Sequence, residues 1–111
     1  MNNTAVQSFQ NARLGMFFHF GLYTLIGENE NAVRKGPKAD YAALMNRFTA
    51  ENFDADAWVE CAASMGARYL VPTARHGEGF CLWDSKLTRY KVTHTPCGRD
   101  LIGELASACA K

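Results

Sequence analysis

Apolar positions along the chain fall into two short continuous runs and three helical stripes, separated by long polar stretches. Leu14-Gly15-Met16-Phe17-Phe18-His19-Phe20 is apolar at successive positions, the pattern of a strand covered on both faces in a parallel sheet. Ala67-Arg68-Tyr69-Leu70-Val71-Pro72-Thr73-Ala74 is the second such run, and Pro72 confines the strand to a few residues. Asp40 is placed to cap a short helix with Tyr41, Leu44, Met45 and Phe48 on one stripe. Asp54 is placed to cap another, with Trp58, Cys61, Ala62 and Met65 on one face and Gly66 as its stop. Asp100 opens a third, in which Leu101, Leu105 and Ala108 align, flanked by Ile102 and Cys109 and weakened by Gly103.

The polar stretches are as informative as the apolar ones. Residues 26–38 mix Gly, Asn, Pro and charge without periodicity, and a long connection runs from Arg75 to Arg99. Loops of that length in compact domains carry function or are disordered. The order is strand, loop, helix, strand, loop, helix, which is the sequence form of βα units joined by right-handed crossovers. The expected class is α/β, with residues 1–111 forming about two βα units of an eight-fold β/α barrel. A complete barrel takes about 250 residues, so the expectation is a natural N-terminus with most of the barrel missing after Lys111.

Composition narrows the partners. The 111 residues are 48% hydrophobic and carry a formal charge of +1, with basic residues scattered along the chain. That is enough for one small domain with a real core and too little for two, and the charge pattern argues against nucleic acid or an anionic membrane as partner. The run Leu14–Leu25 contains His19 and follows the polar Met1-Asn2-Asn3-Thr4, so neither a signal peptide nor a membrane span is expected. Cys61, Cys81, Cys97 and Cys109 lack the close pairing of a zinc site. They are expected to be reduced packing residues of a cytoplasmic protein, with neither metal nor cofactor assigned.

Active sites of parallel barrels lie at the C-terminal ends of the strands. His19 falls near the end of the first run and Arg75-His76 just past the second, so both belong to one rim. Taken alone, His19 is expected to be a hydrogen-bonded core histidine. His76 stands with Arg75, Gly77, Glu78 and Gly79, and this cluster fits a ligand site and a tight turn with a solvated charge pair equally well. Phe80 and Trp83 could offer a platform to a sugar face or pack beneath the loop. Trp58 is expected in the core, Asp84-Ser85-Lys86 in a turn, and His94 at the surface. No spacing pairs a serine with a base.

The segment from Ala12 to Tyr23, containing Gly15-Met16-Phe17-Phe18-His19-Phe20-Gly21, resembles the first-strand signature of the glycoside hydrolase family 29 α-L-fucosidases. Thr73-Ala74-Arg75-His76-Gly77-Glu78-Gly79-Phe80-Cys81-Leu82-Trp83-Asp84 is similar to that family's second-strand signature. Phe53–Trp58 and Thr95–Leu101 resemble the entries to its first two barrel helices. The resemblance implies a retaining exo-glycosidase that releases terminal α-L-fucose, using an aspartate nucleophile and a separate carboxylic acid/base. Both catalytic carboxylates lie further along the barrel than this chain reaches, so no catalytic residue is assigned here.

What the resemblance assigns is substrate binding, to His19, Glu30, His76 and Trp83, with a fucose-type sugar or fucosylated glycan as partner. Neutral imidazoles donate and accept, and a carboxylate accepts twice, which suits sugar hydroxyls. Asn31 stands where the family usually has Trp, Gly77 where it has a second histidine, and Glu78 where it has aspartate. The chain alone is expected to be inactive. Open sheet edges favour self-association, and a non-catalytic carbohydrate-binding or assembly fragment, or an inactive truncated relative, is the alternative.

Overall fold

The computed structural model describes residues 3–111. Met1 and Asn2, which open the stretch read as lacking a leader, lie outside the described residues. Helix α1 (Asn3–Ala12) leads into strand β1 (Gly15–Phe18). A long excursion follows, containing 3-10 turns at Leu22–Ile26 and Ala32–Lys35, the short helix α2 (Lys38–Ala42) and a further 3-10 turn at Ala43–Arg47. Helix α3 (Ala55–Ser64), strand β2 (Tyr69–Pro72), a loop with a 3-10 turn at Val92–His94, and helix α4 (Leu101–Cys109) complete the chain.

The two strands pair in parallel, with Gly15 opposite Tyr69 and Phe18 opposite Pro72. Backbone bonds from Arg68 N to Leu14 O (2.8 Å) and from Thr73 N to Phe18 O (3.1 Å) extend the ladder at both ends. Successive side chains of a strand alternate between faces, and here the two faces differ sharply. Phe18 and Phe20 meet Trp58 of α3 edge-on at 5.0 and 5.4 Å between ring centroids. On the opposite face Phe17 and Val71, paired in register, are 61% and 39% exposed. The sheet is therefore covered on one face only, where the sequence pattern predicts cover on both.

Helices α3 and α4 pack side by side, each with the predicted aspartate cap. Asp54 Oδ1 accepts from Ala57 N (3.1 Å) and Asp100 Oδ1 from Gly103 N (2.7 Å). Gly103 has a reason to be glycine, because a Cβ there would lie 3.1 Å from the Asp100 carboxyl carbon. Arg99 ties the pair together, donating to both oxygens of Glu104 (2.8 and 2.6 Å) and to Phe53 O (3.2 Å). This pairing holds the Glu104 carboxyl below its ordinary range. Leu101, Leu105 and Ala108 are buried as the stripe predicts.

Several expectations do not survive. Asp40 lies inside α2, which starts after Pro37, and Phe48 follows a 3-10 turn rather than continuing a helix. Proline at the cap fixes the entry and consumes the place reserved for Asp40. Cys61 and Met65 of α3 are exposed, because the buried face centres on Ala62 and leans on Trp58. Helix α1, not read from the sequence, carries Ala5, Val6, Phe9 and Ala12 on one face but buries no residue. It is docked by Phe9, whose ring lies 5.0 Å from that of Tyr69, while Tyr69 in turn lies over Gly15, where any Cβ would meet its ring at 2.1 Å. The radius of gyration, 15.4 Å, exceeds the roughly 13 Å of a compact domain of this length.

Candidate functional site

Strand periodicity explains how the site begins. His19 follows Phe17 by one two-residue step, so it shares the uncovered face of the sheet, and the rings of Phe17 and His19 lie 5.0 Å apart. The imidazole is exposed and makes no hydrogen bond among the described residues, which overturns the expectation of a core histidine. At the end of β2 the chain turns through His76–Gly79, closed by Gly79 N donating to His76 O at 3.0 Å. Gly79 has φ +91, a left-handed conformation that a side chain would strain. The turn folds the chain back on itself, with Arg75 bridging Cys81 and Leu82 N donating to Ala74 O at 2.9 Å.

The two histidines meet at this rim, their ring centroids 5.5 Å apart. Glu30 joins them from the first loop, and one ligating atom from each of His19, Glu30 and His76 lies within 4.8 Å of the others. Three of the four assigned residues thus converge. Trp83 is half-buried further along the second loop, and no hydrogen bond, ion pair or ring contact joins its side chain to the cluster among the described residues. Phe80 is buried against Phe48 and Tyr90 (5.6 and 5.2 Å between centroids), so it packs beneath the loop.

Behind His76 lies a residue whose setting the sequence pattern left open. Of the two readings open for this cluster, the solvated charge pair does not hold for Glu78: its side chain is only 3% exposed, with Oε2 at 3.6 Å from His76 Nδ1. That separation is too long for a hydrogen bond of normal strength, and Oε2 has no other partner. Three tyrosines surround it. Burial, then the negative charges of Glu78 and Glu30, push the Tyr23 hydroxyl up to about 12. Burial and Glu78 do the same to Tyr90, also up to about 12, and raise Tyr41 further. The hydroxyls of Tyr23 and Tyr41 make no hydrogen bond of good geometry. Tyr23 closes the first signature and Tyr41 lies on an apolar stripe; neither signalled a polar role.

The remaining predicted residues sit away from the cluster. Trp58 packs in the aromatic core and His94 is exposed. Asp84 does form part of a turn, accepting from Lys91 (2.8 Å), Lys86 (2.9 Å) and Thr93 (3.0 Å). These donors hold its carboxyl far below the usual range. All four cysteines are free thiols, and burial raises that of Cys81. A surface groove of about 870 Å³ runs along α4 beside the start of α3 and includes Asp56, Arg99 and Lys111 but none of the histidines. No helix among the described residues is long and apolar enough to cross a membrane.

Likeness to solved structures first gives the class, that of the glycosidases. An α-L-fucosidase of glycoside hydrolase family 29 from Bacteroides thetaiotaomicron superposes with a TM-score of 0.89 at 37% identity, covering 99% of this chain and 28% of that one. The α-L-fucosidase of Lactobacillus casei in complex with its α-L-fucose product gives 0.86 at 38% identity, over 97% and 38%. The tissue α-L-fucosidase of Rattus norvegicus is 31% identical over 122 residues, covering 93% of this chain and 26% of the rat protein. The α-L-fucosidase family model matches residues 1–111, and the chain belongs to that family. It spans about a quarter to two fifths of the length of these relatives.

Proposed function

We propose that this chain supplies the first two βα units of an α-L-fucosidase barrel and part of its sugar pocket. The observation that carries this reading is the convergence of His19, Glu30 and His76 beyond the C-terminal ends of adjacent parallel strands, where barrel enzymes bind substrate. The two imidazoles and the carboxylate would hydrogen-bond the hydroxyls of a terminal fucose, with Trp83 flanking the sugar. The bare face bearing Phe17 and Val71 would look into the barrel. The nucleophile and the acid/base would come from later strands, because Glu30 and Glu78 match binding positions of the family rather than catalytic ones. Four free thiols support a reducing, cytoplasmic setting.

Titration with α-L-fucose tests the pocket directly. The ring resonances of His19 and His76 should shift together, those of the exposed His94 should not, and His76→Ala should weaken binding about tenfold or more. Aryl α-L-fucosides should not be hydrolysed by the chain alone, since a positioned nucleophile and acid supply much of the rate. Turnover abolished by Glu30→Gln or Glu78→Gln would overturn that assignment. The uncovered apolar face and open strand edges also favour association of the isolated chain. A chain that sediments as a monomer at every concentration would refute this part of the proposal.

A further inference from the structure

The rim cluster has a chemistry that does not depend on the sugar. Two imidazoles and one carboxylate are the donors that divalent first-row transition ions prefer when thiolates are absent, and three such ligands leave further positions open to water. We propose that His19, Glu30 and His76 bind a single divalent transition-metal ion of the zinc class, with Glu78 positioning His76 from behind. This goes beyond the sugar-binding reading and stands or falls separately from it.

Geometry comes first. The three ligating atoms lie within 4.8 Å of one another. Two ligands on opposite sides of zinc, each bonded at about 2.1 Å, are about 4.2 Å apart, and tetrahedral neighbours are about 3.4 Å apart. Closing the set therefore requires an inward movement of roughly 1 Å at the widest pair. His19 can supply it, being exposed and free of hydrogen bonds, and Glu30 can supply it from a loop of 3-10 turns.

The second observation is independent of the first. Glu78 is 97% buried at its side chain, its Oε2 has no hydrogen-bond partner, and it faces Nδ1 of His76 at 3.6 Å. A buried carboxylate oxygen without a donor is costly. A small rotation of the ring would let Nδ1–H donate to it, and Nε2 would then present its lone pair to the cluster. Carboxylates placed in this way behind metal-bound histidines fix the tautomer and raise ligand basicity, and their loss typically weakens metal affinity 10- to 100-fold.

The chain holds three histidines, so zinc titration followed by imidazole resonances carries its own control. One equivalent of zinc should move His19 and His76 in parallel with a micromolar Kd and leave His94 unmoved. Glu30→Gln, which preserves volume, should weaken binding at least tenfold. Glu78→Gln should also weaken it about tenfold and, in the metal-free chain, change the ring-nitrogen shifts that report the tautomer of His76. Replacing His94 with alanine should change nothing. The proposal is overturned if His94 shifts alongside the others, if His19 and His76 saturate at different zinc concentrations, or if the first equivalent perturbs the cysteine signals instead. Unaltered affinity in Glu30→Gln would likewise remove Glu30 from the ligand set, and unaltered affinity in Glu78→Gln would remove its positioning role.

Discussion

The loops that follow the two strands serve one site but are built in different ways. The first, between β1 and α3, is anchored by buried rings and aliphatic groups, Leu22, Tyr23, Tyr41 and Phe48, while the stretch bearing Glu30 is mostly exposed. Beside short-range backbone bonds, its side-chain hydrogen bonds are few: Gly21 N to Thr24 Oγ1, Asn31 N to Asn29 Oδ1, and the Lys35–Glu28 pair. The second, between β2 and α4, has buried apolar groups (Phe80, Leu82, Val92) and also buried polar ones (Ser85, Lys91, Thr95). Lys91 Nζ alone donates to Asp84 Oδ1 (2.8 Å) and Ser85 O (2.7 Å), and Asp84 N donates to the cap residue Asp100 (3.2 Å). Satisfied polar networks rigidify what they join. The lesson is an asymmetric site, in which a satisfied network cross-ties the loop that begins with His76 and Glu78, and the loop that brings Glu30 has no comparable network among the described residues.

The harshest way to break this contrast is to empty the second loop's core. Phe80 is 2% exposed and touches a ring from each side, Phe48 of the first loop and Tyr90 of its own. Phe80→Ala should cost about 3–5 kcal/mol, measured by denaturant unfolding. Ile26→Ala, at a residue 46% exposed in the first loop, should cost less than about 0.5 kcal/mol. Equal losses would show that the exposed stretch of the first loop is packed as firmly as the shared core around Phe80.

Acid should reveal the next difference. The Asp84 carboxyl is held below its ordinary range by Lys91, Lys86 and Thr93. A depressed carboxyl stabilises the fold above its unfolded-state value, about 4, and that contribution is lost as pH falls through the folded-state value. Asp84→Asn should therefore flatten the acid limb of a stability profile and lower its plateau at neutral pH. An unchanged acid limb would mean that the network does not hold the loop.

Beneath the site, a third measurement separates Glu78 from its neighbours. Tyr23 and Tyr90 are each pushed up to about 12. A raised phenol keeps its stabilising share below the unfolded value near 10 and loses it as pH climbs toward 12. Glu78→Gln should lower the tyrosinate transitions of Tyr23, Tyr41 and Tyr90 together, because its charge raises all three. Movement of one tyrosine alone would place Glu78 elsewhere.

Legibility in the sequence follows the same division. Both strands, the caps of α3 and α4, and the meeting of His19 with His76 could be read because strand period, helix stripe and aspartate caps are local signals. The placement of Glu30 depended on family resemblance, since nothing in a stretch of Gly, Asn and charge tells which residue a string of 3-10 turns will bring to the rim. Helix α1 escaped although Ala5, Val6, Phe9 and Ala12 share one face, because that stripe is short, set among polar residues, and buries no residue. The reading of Glu78 stayed open between a ligand site and a solvated turn because its environment includes Tyr23 and Tyr41, which come from distant parts of the chain. The bare sheet face was invisible for the opposite reason: Phe17 and Val71 look like core in sequence, and only the layer count shows that nothing among the described residues covers them.

The gentlest probe addresses the first loop's only ion pair among the described residues, Lys35 with Glu28, whose side chains are 60% and 35% exposed. Exposed pairs are screened by salt and must order two long side chains, so Lys35→Ala should cost at most about 0.5 kcal/mol. The same change should nonetheless speed backbone hydrogen exchange across residues 27–34, because the pair spans the turn that carries Glu30, which otherwise rests on short-range backbone bonds such as Glu28 N to Tyr23 O and Ala32 N to Asn29 O and on the buried Ala32. Exchange across residues 81–95 should be unaffected, since the Asp84 and Lys91 network closes that loop independently. If global stability fell by more than about 1 kcal/mol, or if exchange rose in both loops, the first loop would be as firmly built as the second. The site would then be preorganised on both sides.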